Sequence, residues 1–145
     1  MAGRRIAYAP GVYDLFHIGH LNVLRNAKER CDHLIAGVVT DELAVRVKGL
    51  QPIVPLDERL AIVASIRYVD EAVAEDLPHK LEMWDRLRFN AIIKGDDWKG
   101  TDRGDKLEAD FAAVGVEVVY VPYTKQTSSS MLRRVLQREI DGLTT

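Results

Sequence analysis

The sequence is poor in cysteine, with Cys31 as the single one among 145 residues. An intrachain disulfide is therefore excluded, and no cysteines and histidines stand at the spacing of a zinc site. A chain of this length buries roughly 70% of its extended surface on folding, so its core needs no such cross-links. We expect one domain over residues 1–145, located in the cytoplasm.

Long apolar runs and an excess of one charge are also missing. No run approaches the roughly 20 apolar residues of a membrane helix, and the chain start leads into a short strand rather than a signal-peptide core. The 20 basic and 22 acidic side chains give a formal net charge of −2. The sequence thus predicts neither membrane insertion nor a nucleic-acid partner.

Short apolar segments alternate with longer segments of helical periodicity, which predicts a parallel sheet with crossover helices. The predicted strands are residues 5–9, 33–39, 71–74, 91–94 and 116–121. The predicted helices are residues 18–30, a helix from about 40, residues 55–67, 80–87 and 105–114, and a last helix after 127. This order predicts an α/β fold, a single-domain, Rossmann-like, doubly wound parallel five-stranded sheet with helices on both faces. Ligands bind such a sheet beyond the carboxyl ends of its strands, although the fold alone does not decide the chemistry.

Two histidines follow the first strand at a spacing of three. At a helix start this spacing puts His17 and His20 on one side, where free backbone N–H groups and the helix dipole favour an anion. Gly19 between them allows a ligand to approach the backbone. The arrangement suits phosphate, and the alternative is a buried structural histidine beside a packing glycine.

The segment from Gly11 to Leu21 resembles the G-T-F-D-L-x-H-x-G-H signature of the cytidylyltransferase-like nucleotidyltransferases, especially the glycerol-3-phosphate cytidylyltransferases. Four further blocks match in the family's order: Thr40–Glu42, Glu58–Arg59, Arg67–Glu71 and Gly95–Gly100. The resemblance implies transfer of CMP from CTP to a phosphorylated polyol such as glycerol 3-phosphate, with release of pyrophosphate. It also implies nucleotide contacts from Gly11, Val12, Tyr13, Ile18 and Gly19. Val12 stands where the family has threonine, so one hydroxyl contact is lost.

The implied reaction needs little help with proton transfer, because the acceptor phosphate is already a nucleophile. We therefore interpret His17 and His20 as catalytic hydrogen-bond donors to the phosphates rather than as bases. Repulsion between two phosphates also calls for a cation. The resemblance implies that Lys48 supplies it, with Arg46 as the competing residue and a solvated loop lysine as the alternative.

The acceptor site is expected to draw on cations and carboxylates. The resemblance implies that Arg67 and Lys80 bind the acceptor phosphate from the carboxyl side of the sheet, unless they are ordinary exposed cations. Asp96 and Asp97 are interpreted as acceptors for substrate hydroxyls or hydrated metal, or else as loop and capping residues. Mg²⁺ is expected to accompany the triphosphate, and no protein metal ligand is assigned.

A hydroxyl-rich segment precedes the last helix. Serines at a helix start cap the backbone and can cradle phosphates, so we expect nucleotide binding here, opposite the histidine turn on adjacent central strands. The candidate residues are Tyr123, Thr124, Lys125, Gln126, Thr127, Ser128, Ser129, Ser130 and Arg133. Tyr123 and Gln126 replace an arginine and a glycine of the family pattern, and Lys125 and Arg133 are the candidates to replace the missing charge.

Two other functions remain open from the sequence. The altered serine segment favours an adenylyltransferase that uses ATP and a sugar phosphate or another small phosphomonoester. A nucleotide-binding domain without turnover would share the fold. The resemblance further implies a homodimer, with the apolar segment around Tyr68 and Val73 as the expected contact.

Overall fold

The computed structural model describes residues 3–124 and 127–143. Its strands are β1 (Ile6–Gly11), β2 (His33–Val39), β3 (Glu71–Glu75), β4 (Ala91–Gly95) and β5 (Glu117–Val121). Its helices are α1 (Ile18–Lys28), α2 (Asp41–Lys48), α3 (Leu56–Ala64), α4 (Lys80–Leu87), α5 (Asp102–Ala112) and α6 (Ser129–Leu143). The strands form one sheet in the order β3-β2-β1-β4-β5, and all four neighbouring pairs are parallel.

Apolar residues on both faces of the sheet explain the three-layer arrangement. On one face, Leu24 of α1 and Val63 of α3 are fully buried against small strand residues such as Ala36. On the other face, Met83 of α4 and Phe111 of α5 are fully buried. The predicted doubly wound sheet with helices on both faces is therefore confirmed.

Local capping sets where several helices begin and end. The Thr40 hydroxyl accepts a hydrogen bond of 3.1 Å from the backbone N–H of Leu43 and caps the start of α2. The helix stops before Gly49, whose φ of 73° is left-handed. Thr101 caps α5 in the same way, through a 3.1 Å bond from the N–H of Gly104. Because of this cap α5 begins at Asp102, three residues earlier than predicted.

The strand order reverses direction between β1 and β4, which opens a crevice at their carboxyl ends. β5 is an edge strand, separated from β1 by β4. The expectation that the serine segment and the histidine turn follow adjacent central strands was therefore wrong. The two segments nevertheless meet, because Thr124 accepts a hydrogen bond from Asn22 of α1 and Ser129 donates one to the carbonyl of Asp14.

Among the described residues, no helix combines the length and the hydropathy that a bilayer span requires.

Candidate active site

A cavity of about 370 Å³ lies at the carboxyl ends of β1 and β4, where the fold predicts a ligand site. Its wall includes Gly11, His20, Lys48, Lys94, Trp98 and Ser130. These residues come from the carboxyl ends of β1 and β4, from the 3-10 turn after β4 and from α1, α2 and α6. His20 of the histidine turn and Ser130 of the serine segment thus line one cavity, whereas His17 is not part of its wall.

The two histidines cap the start of α1 reciprocally. Nδ1 of His17 accepts a 3.0 Å hydrogen bond from the N–H of Gly19, and Nδ1 of His20 accepts a 3.2 Å bond from the N–H of His17. The ring centroids lie 4.0 Å apart. Because each Nδ1 is an acceptor, a neutral ring carries its proton on Nε2.

Both rings are held in the neutral form. Burial lowers the pKa of His20 to about 3, helped by the nearby charges of His17 and Lys48 and opposed by Asp14. Burial also lowers the pKa of His17. Neutral imidazoles with Nε2–H groups are hydrogen-bond donors, the form that the sequence interpretation requires.

The helix start itself differs from the expectation of free backbone donors, because His17 already accepts from the N–H of Gly19. Gly19 is needed for steric reasons as well. A Cβ there would lie 2.7 Å from Cε1 of His17 and 3.6 Å from Cβ of Thr124. The glycine therefore lets the imidazole and the segment after β5 approach the helix.

The turn before the histidines is mostly structural. Tyr13 is 5% exposed and its hydroxyl donates a 2.9 Å hydrogen bond to the carbonyl of Ala9. Tyr13 and Leu15 both have positive φ angles, 56° and 52°, which bend the chain sharply before α1. Gly11, Val12 and Tyr13 line the cavity, whereas Ile18 is 48% exposed and lies outside its wall.

Asp14 organises three segments around the cavity. Its carboxylate accepts 2.9 Å bonds from the N–H groups of Ile53 and Val54 and pairs with Arg133 at 3.0 Å. Its backbone carbonyl accepts a 2.6 Å bond from the Ser129 hydroxyl. Asp14 thereby ties the β1 turn to the loop after α2 and to α6.

Arg59 is a second organising residue, a role that its sequence context did not predict. Its side chain is 1% exposed and pairs with Asp41 at 2.5 Å. It also donates 2.7 Å hydrogen bonds to the carbonyls of Val12, Val39 and Val54. Its partners come from three stretches of the chain, around residues 12, 39–41 and 54, so no local pattern could reveal the whole set.

Lys48 rather than Arg46 reaches the cavity. The two were competing predictions, and of the two Lys48 lines the wall. Its side chain is partly exposed, but loss of hydration at the cavity lowers its pKa, as do the charges of Lys80 and Arg103. Lys48 therefore stands between His20 and a group of further cations.

The three serines have three different roles. The Ser128 hydroxyl accepts a 3.1 Å bond from the N–H of Met131 and caps α6, as the capping alternative required. Ser129 is bonded to Asp14, and Ser130 lines the cavity and is exposed. Arg133 also lines the cavity, although it already donates to Asp14 and to the carbonyl of Gln51.

The remaining residues of this segment border the site. Tyr123 lines the cavity, and Thr124 accepts a 3.0 Å bond from the Asn22 amide of α1. Thr127 is half-buried. The predictions for Lys125 and Gln126 lie outside the described residues.

The two cations predicted to bind the acceptor lie at opposite ends of β3. Arg67 is exposed and lies just before β3. The neighbouring Asp70 donates its backbone N–H to the carbonyl of Leu34 near the start of β2, which places this segment at the amino end of the strands. The expectation that Arg67 projects from the carboxyl side was therefore wrong, because a residue before a strand lies at its amino end. Lys80 does follow β3 and pairs with Glu75.

The predicted carboxylates after β4 differ in their surroundings. Asp96 accepts a 3.0 Å bond from the N–H of Tyr123 and fastens the chain after β5. Asp97 lines the cavity. Trp98 packs against the α4 and α5 side of the core and also forms part of the cavity wall.

Lys94 was missed because it is the fourth residue of a buried strand. Its Nζ lies 3.8 Å from the Trp98 ring centroid. Burial lowers its pKa to about 8, with the charges of Lys80 and Lys48 acting in the same direction and Glu75 and Asp97 opposing them. A lysine after three apolar residues was the available signal, since a buried strand seldom carries a charge without a purpose.

Comparisons with known proteins agree with this geometry. The family model described as cytidylyltransferase-like matches residues 8–135. An FAD synthase of Pyrococcus abyssi is 35% identical over 141 residues, 95% of each chain. An ethanolamine-phosphate cytidylyltransferase of Arabidopsis thaliana is 40% identical over 97 residues, 62% of this chain but 22% of that protein.

A solved structure shows the same fold. The lipopolysaccharide core biosynthesis protein of Thermoplasma volcanium superimposes with a TM-score of 0.71 and 25% identity, covering 86% of this chain and all of that one. The family match, the similarity to the FAD synthase over nearly the full chain and the parallel sheet agree with one another. The chain is a nucleotidyltransferase that belongs to the cytidylyltransferase-like family.

Proposed function

We propose that this enzyme transfers CMP from CTP to a small phosphorylated polyol such as glycerol 3-phosphate and releases pyrophosphate. The observation that carries the proposal is a single cavity whose wall contains His20, Lys48 and Ser130. Similarity to ethanolamine-phosphate cytidylyltransferase supports CTP as the nucleotide. Its name also supports a small phosphomonoester as the acceptor.

In this reaction an oxygen of the acceptor phosphate forms a bond to the α-phosphorus of CTP. The bond between that phosphorus and the oxygen bridging to the β-phosphate breaks, and pyrophosphate leaves with the electron pair. Negative charge grows on the leaving and non-bridging oxygens. The Nε2–H groups of His17 and His20 donate to these oxygens, and each such donor contributes about 3–4 kcal/mol to the transition state.

Lys48 holds the two phosphates together. This role is supported by its place in the cavity wall with His20 and by the nearby charges of Lys80 and Arg103. Ser130 and Arg133 bind the outer phosphates from the start of α6, where helix dipole and hydroxyl groups favour an anion. Lys80 and Asp97 complete the acceptor side.

We propose that Mg²⁺ enters as part of the nucleotide substrate. The Asp14 carboxylate is engaged by two backbone amides and Arg133. Within the described parts of the chain no three histidine, cysteine or acidic side chains group as a metal would require. Magnesium retains several waters and needs few protein ligands, so the triphosphate can hold it.

A second candidate is transfer of AMP from ATP to a phosphorylated small molecule. The similarity to FAD synthase over 95% of both chains supports it. The tyrosine at position 123, where the cytidylyltransferase pattern has arginine, also favours a different nucleotide pocket. The two candidates share the chemistry and differ in the base and the acceptor.

The test is pyrophosphate release with each of CTP, ATP, GTP and UTP against glycerol 3-phosphate, phosphoethanolamine, FMN and a sugar phosphate. Mass spectrometry identifies the product, and the double variant His17→Ala/His20→Ala is the matched control. We expect release with CTP and a phosphorylated polyol, and none from the control. Release with ATP and not with CTP would establish the second candidate instead.

We further propose that the enzyme is a homodimer, as the family resemblance implies. The expected contact is only partly available, because Val73 packs against the sheet's α4 and α5 side. Light scattering coupled to size-exclusion chromatography tests this, and a mass of one chain would reject it.

A further inference from the structure

Two cations lie against the Trp98 ring at the edge of the cavity, and two further lysines act on one of them electrostatically. We call Lys48, Lys80, Lys94 and Arg103 the Trp98 cation cluster. The Arg103 guanidinium carbon lies 4.4 Å from the Trp98 ring centroid, and Nζ of Lys94 lies 3.8 Å from it. Lys48 and Lys80 are near enough to act electrostatically on Lys94.

The cluster contains four cations, whereas two carboxylates, Glu75 and Asp97, oppose their effect on Lys94. Lys80 pairs with Glu75, a carboxylate that is 0% exposed and also accepts a 2.5 Å bond from the Tyr8 hydroxyl. Within residues 3–124 and 127–143, Lys94 and Arg103 form no ion pair. Lys94 is half-buried in the cavity wall, whereas Arg103 is exposed at its edge. A cation such as Lys94 that is partly removed from water without a partner is costly, unless a ligand supplies the opposite charge.

The proposed reaction accounts for part of this charge. Lys48 lies beside His20 and serves the phosphates that react. Lys80 is available on the acceptor side with its own carboxylate partner. Lys94 and Arg103 lie against the indole ring, and the uncharged hydroxyl groups of a simple phosphopolyol offer them no charge to pair with.

We propose that the acceptor carries a second anionic group, a carboxylate or another phosphate, which Lys94 and Arg103 bind beside Trp98. This inference rests on the proposed function, because it concerns the far end of the molecule whose phosphate attacks the nucleotide. The second group takes no part in bond making or breaking. It determines which phosphorylated compounds are bound in a productive position.

The experiment compares acceptors that differ in one group. 3-Phosphoglycerate has a carboxylate where glycerol 3-phosphate has a hydroxymethyl group. Glycerol 1,3-bisphosphate has a phosphate at the same end of the molecule. We expect kcat/KM to be at least about tenfold higher for an acceptor with the second acid, the factor typical of a hydrogen bond to a charged group. Which of the two acids gives the larger increase identifies the second group.

The matched variants are Lys94→Met, which keeps the length of the side chain, and Lys106→Met on the exposed face of α5. Lys94→Met should lower the ratio of the two kcat/KM values towards one, because only Arg103 then remains to bind the second acid, and Lys106→Met should leave the ratio at the wild-type value. Circular dichroism verifies that both variants fold. Equal kcat/KM values for the two acceptors in the wild type, or a preference that Lys94→Met does not reduce, would overturn the inference.

Direct binding separates this inference from the proposed function. Titration calorimetry of the wild type and Lys94→Met with 3-phosphoglycerate and with glycerol 3-phosphate needs no turnover. Tighter binding of 3-phosphoglycerate that depends on Lys94 supports the second anionic site even if CTP is not the nucleotide. Equal Kd values for the two acceptors reject it even if CTP is turned over.

Discussion

Nδ1 of His20 accepts a hydrogen bond from the backbone N–H of His17, while Nδ1 of His17 accepts one from Gly19, so both imidazoles are fixed by the helix that they begin. This arrangement leaves Nε2 of each ring as the donor. The same contacts that begin α1 therefore orient the groups assigned to the phosphates. Structure and chemistry are coupled here, and changes at the helix start should affect both.

The neutral state of His20 predicts how stability depends on pH. In the unfolded chain His20 has the usual histidine pKa near 6.5, whereas in the folded chain its pKa is about 3. The unfolded state therefore holds more protons in this range, and the free energy of unfolding falls as pH is lowered below about 6.5. Urea denaturation between pH 7 and pH 5 measures the slope.

Two variants assign that slope. His20→Asn removes the titrating group and should flatten the decline. His79→Asn, at the exposed start of α4, should follow the wild-type profile. Parallel profiles for the wild type and His20→Asn would show that His20 is not held neutral.

Gly19→Ala should reduce turnover far more than stability, because the weakened His17 cap of α1 is offset by the helix preference of alanine. The new Cβ would lie 2.7 Å from Cε1 of His17, so the imidazole must shift. A shift of about 1 Å in a catalytic group costs up to about a hundredfold in rate. In contrast, alanine favours a helix by up to about 1 kcal/mol over glycine. Steady-state kinetics and thermal unfolding measure the two effects, with Gly3→Ala as the control, since no atom lies within 4 Å of its added Cβ.

Asp14→Asn should loosen the loop after α2. The amide oxygen and nitrogen cannot together accept from Ile53, Val54 and Arg133. We expect a loss of about 2 kcal/mol in the free energy of unfolding, typical of a buried donor left without its partner. Hydrogen exchange at the amides of Ile53 and Val54 should become faster. Asp85→Asn, which disturbs an exposed ion pair, should leave both measurements unchanged.

Tyr8→Phe tests whether the buried carboxylate positions Lys80. The hydroxyl of Tyr8 donates to Glu75, and burial together with Glu75 raises the pKa of this tyrosine. Its removal should cost about 1–3 kcal/mol and raise KM for the acceptor more than it lowers kcat. Tyr68→Phe, outside the cavity, is the control. An unchanged acceptor KM would mean that Lys80 is held by other contacts.

The sequence was sufficient for the fold because its signals are local. The apolar run 33–39 and the helical periodicity of residues 80–87 predicted β2 and α4 with their observed bounds. The Thr40 cap likewise predicted the start of α2. The histidine turn was also located correctly, since its spacing of three is itself a helical property. The start of α5 was placed too late, because the Thr101 cap lies inside a polar loop.

Residues that act across the fold were harder to predict. Arg67 was assigned to the carboxyl edge although its place before β3 puts it at the amino edge. Arg59 and Asp14 gather partners from segments far apart in the chain, so their roles follow from topology alone. Lys94 was not predicted as a site residue because it belongs to β4, where the three preceding residues are apolar and indicate only a buried strand.

The most direct test of the central claim is the turnover of His17→Ala and His20→Ala measured together with their Kd for CTP. If the rings donate to the reacting phosphates, each substitution should lower kcat by at least about a hundredfold, with a much smaller change in Kd. Turnover near the wild-type rate in either variant, or a loss no larger than the loss of affinity, would contradict the account.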